Sequence, residues 1–168
     1  MNGFSKSVVA EILTRDGHAC VRCGRGVDPS ERGIGWSIHH RRPRGMGGSR
    51  DPEVTGPTNG LVLHGSGTTG CHGWVESNRV DARRLGFLVA QWQDPELVPV
   101  QHWLYGPAFV TPAGWVPIGV GVEGLRVAAE HLRAVCESRG IPVDAGDESY
   151  VRLSVAVFDA VRELVEVQ

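Results

Sequence analysis

Cys20 and Cys23 stand two residues apart near the start of the chain, and the next thiol, Cys71, lies far downstream beside histidines. A Cys-x2-Cys spacer lets two thiolates reach one ion at about 2.3 Å, which is half of a tetrahedral zinc site. The other half must come from a distant segment, so the chain has to fold those segments together. His64 and Cys71 complete a Cys3His set, and the glycines of the intervening Gly-Ser-Gly-Thr-Thr-Gly make the wide spacing sterically feasible. His18, just before Cys20, is the rival fourth ligand, and reduced buried thiols without metal are the plain alternative. With all four positions filled by protein, such a zinc is structural, and in a small core its contribution could decide folding.

A second dense tract runs Ile38-His39-His40-Arg41-Arg42-Pro43-Arg44-Gly45-Met46-Gly47-Gly48, followed by Asn59 and then Cys71-His72. The net charge of −2 hides an asymmetry around it. Residues 1–50 sum to +5, residues 51–118 to −3 and residues 119–168 to −4. A basic first third suits contact with a polyanion, and the acidic remainder would stay clear of phosphates. No run approaches the roughly 18 apolar residues of a membrane span, and Met1 to Lys6 form no apolar signal region. The expectation is a cytoplasmic protein without a membrane partner.

Residues 5–16 read as a short helix stopped at Gly17, and Gly35 to His40 as a strand. A loop without periodicity covers Arg41 to Gly56, and a second strand runs from Leu61 to His64. Thr69 to Leu85 suits one helix ending at Gly86. Val98 to Ile118 alternates aromatic and small residues around Gly-Pro and Ala-Gly turns, the pattern of a β-hairpin. Two amphipathic helices close the chain. One covers Val122 to Arg139, with Leu125, Ala129, Leu132 and Cys136 on its stripe. The other covers Ser149 to Val167, with Val151, Val155, Phe158, Val161 and Val165. His102 and His131 fall outside every cluster and read as ordinary surface or half-buried residues.

His39 and His40 are consecutive on a strand, so their side chains leave opposite faces and need not share a job. One is placed to meet a metal together with His72, while the other is available as a base near neutral pH. Arg41, Arg42 and Arg44 follow directly, and guanidinium groups bind phosphate oxygens bidentately. The alternative for Arg42 or Arg44 is a local pair with Asp51 or Glu53.

His39-His40, Asn59 and His72, framed by Cys20-x2-Cys23 and His64-x6-Cys71, resemble the HNH endonucleases. The tracts around His40 and His72 are most similar to HNH proteins of bacteriophages and actinobacteria, and the resemblance spans roughly residues 8–118. It implies an α+β fold: a small zinc-stabilised ββα-metal core, with the β-hairpin and the C-terminal helical hairpin added. The nuclease domain would be residues 1–118, and residues 119–168 would serve packing or partner docking.

The implied activity is metal-dependent hydrolysis of phosphodiester bonds in double-stranded DNA, with low sequence specificity and 5′-phosphate and 3′-hydroxyl products. His39 and His72 would ligate one catalytic divalent ion, Mg2+ or Mn2+, with Ni2+ and Zn2+ as further candidates. His40 would be the general base, and Asn59 would hold the loop and orient it by hydrogen bonding. Relatives carry a further histidine where this chain has Glu76; a carboxylate there would either join the same ion or stay a solvated helix residue. Phage relatives suggest host cytoplasm, DNA packaging and a terminase or other protein docked on the C-terminal helices. The alternative function is a zinc-stabilised nucleic-acid-binding module without catalysis.

Overall fold

A computed structural model describes residues 3–43, 52–119, 121–144 and 146–165. The fold is mixed α+β, with two small antiparallel sheets. Among the described residues no helix is long and apolar enough to cross a membrane.

The first helix, α1 (Lys6–Arg15), starts where the Ser5 hydroxyl accepts from the Val8 amide at 3.3 Å. Val9, Ile12 and Leu13 form its buried stripe. It ends at Asp16, followed by Gly17 in the left-handed region (φ +63°), the stop expected from sequence. Asp16 does not return to solvent: its Oδ2 accepts from the Val62 amide at 2.9 Å, while Arg15 donates to the carbonyls of Pro57 and Gly60. These bonds fasten α1 to the second strand.

That strand, β2 (Gly60–His64), pairs antiparallel with β1 (Trp36–His40) in the register Trp36 with His64 and His40 with Gly60. Strand alternation sorts their side chains between two cores. Trp36 and Val62, with Ile38 packed against them, join Phe4, Val9, Ile12 and Leu13 on one face. Leu61 and Leu63 face the other side, with Cys20, Cys71, Val75, Phe87 and Val100. The Cys20–Cys23 turn is stitched between the sheets: the Val21 amide donates to Val62 O, and the Trp103 amide donates to Val21 O, both at 2.9 Å.

The helix expected over Thr69 to Leu85 is two helices, α2 (Gly70–Ser77) and α3 (Arg79–Arg84). Asn78 breaks it at φ −119°, ψ 54°, where its side chain and its amide both donate to Trp74 O at 2.9 Å. Gly86 (φ +74°) is the stop; a side chain there would collide with the Pro99 carbonyl.

The expected β-hairpin is a three-stranded meander of β3 (Val100–His102), β4 (Gly106–Thr111) and β5 (Gly114–Pro117). The extra turn forms over residues 103–105 because His102 is buried, and its Nδ1 accepts the amides of Leu104 and Tyr105 at 3.0 and 3.4 Å. His131 is also buried; its Nε2 donates to Glu96 O at 2.8 Å and its ring stacks on Phe109.

The C-terminal helices are α4 (Gly121–Ser138) and α5 (Glu148–Val165). They pack on each other and against Leu97, Phe109 and Ile118, so this hairpin covers the second sheet. The stripe on α4 is rotated from the one read in sequence: Ala128, Leu132, Val135 and Cys136 are buried, while Leu125 is exposed. Gly124 lies against the segment that leads into α4, and a Cβ there would meet the Gly119 carbonyl. On α5, Val157 and Val161 are buried and Val155 is exposed.

Candidate metal centres

Among the described residues, two groups of side chains are placed to hold a metal ion, and both draw on α2. The first is Cys20, Cys23, His64 and Cys71, whose ligand atoms all lie within 4.8 Å of one another. A tetrahedron with 2.3 Å arms has edges of about 3.8 Å, so three thiols and one imidazole at this separation fit one zinc-like ion. His64 Nδ1 lies 3.2 Å from Cys23 Sγ. His18, the rival ligand, is outside the group and sits in the turn after α1, its amide donating to Leu13 O. Burial pushes the Cys20 thiol up to about 12 and raises Cys71.

Arg22 was not foreseen at this cluster. Its Nη1 donates to Cys71 Sγ at 3.4 Å, and its guanidinium lies 3.8 Å from the centroid of the Trp74 ring. Three thiolates around a divalent cation carry a net charge of −1, which an adjacent guanidinium offsets. The only sequence signal was its position between the two cysteines.

The second group is His39, His72 and Glu76. His39 is buried on the β1 face that turns toward α2, and His72 and Glu76 lie one turn apart on that helix. His39 Nδ1 and His72 Nε2 approach to 3.3 Å. Glu76 Oε1 lies 3.8 Å from the first and 3.9 Å from the second, and its other oxygen pairs with Arg79 at 2.8 Å.

The hydrogens of both rings are committed elsewhere. His39 Nε2 donates to Phe87 O at 2.9 Å. Ser37 Oγ donates to Gly65 O at 2.9 Å and therefore accepts from His72 Nδ1, 2.6 Å away. The nitrogens that face each other are thus both lone-pair donors, an arrangement that repels unless a cation lies between them. Burial holds His39 down to about 3, with His72 adding to the effect, and burial also lowers His72. Protons are therefore poor occupants of this gap at neutral pH.

His40, as strand alternation requires, leaves the opposite face. Its ring stacks on Phe4 with centroids 4.0 Å apart and an interplanar angle of 13°, and its Nδ1 donates to Val54 O at 3.1 Å. That bond puts the basic lone pair on Nε2. Asn59 is fully buried. Its Nδ2 donates to Val54 O at 2.8 Å and to Arg42 O at 3.1 Å, and its Oδ1 accepts the Arg42 amide at 2.6 Å. Asn59 therefore reaches His40 through a shared carbonyl and clamps both walls of the loop.

The expected phosphate-binding role of Arg41 is corrected. Its side chain is fully buried and donates to the carbonyls of Gly86, Pro95 and Val98 at 2.9, 2.6 and 2.6 Å. Burial lowers it to about 9, and the three carbonyls supply the hydrogen-bond partners that a buried guanidinium needs. Arg42 is buried too, and pairs with Glu53 at 3.5 Å, the local carboxylate pair weighed as its alternative. Arg44 lies outside the described residues. Phe4, Ser37 and the carbonyls of Val54 and Phe87 were not singled out from sequence; only Ser37 left a trace, two positions before His39 on the same strand face.

Comparison with protein-family models, curated proteins and solved structures finds no match to this chain.

Proposed function

We propose that the chain is a metal-dependent endonuclease of HNH type that hydrolyses DNA phosphodiester bonds, with a structural zinc in the Cys20, Cys23, His64 and Cys71 cluster. The observation that carries the reading is the 3.3 Å approach of His39 Nδ1 to His72 Nε2, each with its hydrogen held by another acceptor. Two imidazole lone pairs with Glu76 beside them make a partial ligand set for one Mg2+ or Mn2+, and a carboxylate member favours such hard ions.

A divalent ion there would supply charge stabilisation for the phosphate oxygens as the bond breaks. His40 takes the proton of the attacking water on Nε2, while the Val54 carbonyl steadies the imidazolium through Nδ1–H. Phe4 stacks on that ring and limits its rotation. Asn59 holds Val54 and Arg42 in place around it.

The test is supercoiled-plasmid nicking with Mg2+, Mn2+ or no added metal, wild type against His40→Ala. The expected result is metal-dependent nicking that falls by a factor on the order of 10²–10⁴ in the variant, with DNA binding retained. A folded wild type that binds DNA yet nicks with neither ion overturns the proposal in favour of a binding module.

A further inference from the structure

Resting on that reading of His39 and His72 as a metal pair, we propose that Ser37 is the positioning residue that makes His72 a ligand. It does so by fixing which ring nitrogen carries the hydrogen. An imidazole can coordinate only through a nitrogen with an uncommitted lone pair, and a neutral ring has one such nitrogen. In water the hydrogen of a histidine side chain prefers Nε2, the atom that here faces His39. The metal-competent form of His72 is therefore the one solvent does not favour, and something in the fold has to hold it.

Ser37 holds it with a two-step relay. Its hydroxyl hydrogen is spent on the Gly65 carbonyl at 2.9 Å, so the oxygen presents only lone pairs to His72 Nδ1 at 2.6 Å. The direction of this relay is set by Gly65, whose carbonyl can accept but never donate. Gly65 is itself fixed: φ is +85°, its amide donates to Gly35 O at 2.7 Å, and a Cβ there would collide with the Thr69 backbone. Strand periodicity puts Ser37 beside His39, opposite Leu63, so one face of β1 carries both a ligand and the residue that orients the other ligand. His39 has its own acceptor in Phe87 O, so the two ligands are set independently.

The experiment combines two readouts on the full chain. Long-range 1H–15N NMR of the metal-free protein reports which nitrogen of His72 is protonated, and calorimetric titration with Mn2+ alone reports affinity. Wild type should carry the hydrogen on Nδ1. Ser37→Ala should move it toward Nε2 and weaken Mn2+ binding by 10–100-fold, the range typical for lost outer-shell partners. Ser37→Thr, which keeps the hydroxyl, should restore both.

Hydrogen on Nε2 in the wild type overturns the inference, even if Ser37→Ala fails to fold. So does an unchanged Mn2+ affinity in a folded Ser37→Ala. A wild type that binds no Mn2+ overturns the metal-pair reading together with it. Altered Mn2+ affinity in a protein that never nicks DNA supports the inference while sinking the nuclease proposal.

Discussion

His40 and Asn59 meet at a single atom, the Val54 carbonyl oxygen, which accepts from His40 Nδ1 at 3.1 Å and from Asn59 Nδ2 at 2.8 Å. One buried amide thereby sets the position of the acceptor that sets the ring. Stability and the orientation of the His40 ring are coupled through it.

Asn59→Ala should therefore lower both. It removes the side-chain partner of the Arg42 amide and of the Arg42 carbonyl in a buried place, and leaves the Val54 carbonyl to His40 alone, at a cost of about 2–4 kcal/mol. Asn59→Asp should be worse at neutral pH, because a buried carboxylate would face the oxygens of Val54 and Arg42. Urea denaturation reads the stability, and nicking by the folded fraction reads the orientation. An unaltered denaturation midpoint in either variant would show that the clamp contributes nothing.

Arg41 offers a sharp contrast between two roles. As a buried tie between the carbonyls of Gly86, Pro95 and Val98, it should cost about 3–5 kcal/mol when replaced by alanine. The salt dependence of DNA binding by the folded variant should keep its wild-type slope. A slope reduced by roughly one unit would instead mark a phosphate contact and restore the sequence-based expectation.

Zinc content tests the sulfur cluster separately. Protein purified without added metal should hold about one zinc, and a strong chelator should lower its thermal midpoint. Cys20→Ser or Cys71→Ser should lose that zinc, whereas Cys136→Ser should keep it, since Cys136 is buried among the C-terminal helices. Zinc retained after removal of Cys20 would place it elsewhere.

Acid sensitivity should trace partly to His102. Burial, helped by the charge of Arg15, lowers it to about 4, and its Nδ1 accepts two amides that a proton would displace. An exposed histidine in the unfolded chain titrates near 6.5. Between these values the unfolded chain binds a proton that the folded one refuses, so stability falls as pH drops from 6.5 toward 4 and levels off below. The contribution is on the order of 3 kcal/mol. Urea midpoints followed from pH 7 to 4.5 should fall less for His102→Gln than for wild type. Parallel curves would remove His102 from the account.

Legibility in the sequence tracked the range of the cause. The α1 start at Ser5, the stop at Gly86 and the opposite outlooks of His39 and His40 follow from local rules of capping and alternation. The break at Asn78 was local too, but it depended on a side chain choosing the Trp74 carbonyl over solvent. The third strand of the second sheet depended on His102 being buried, which no spacing announces.

Residue types and their order were enough to nominate the thiols, the histidines and Asn59, because metal ligands and bases are scarce kinds of side chain in telling spacings. They favoured His64 over His18 for the thiols, as the structure has it, but could not say which nitrogen of each imidazole faces the gap. Nor could they say that Arg41 turns inward, or that α4 buries Ala128 and Val135 while Leu125 is exposed. Those outcomes hang on carbonyls and helices far along the chain. A side chain's intrinsic chemistry travels with its letter, whereas its hydrogen-bond partners and its burial exist only once distant segments have packed.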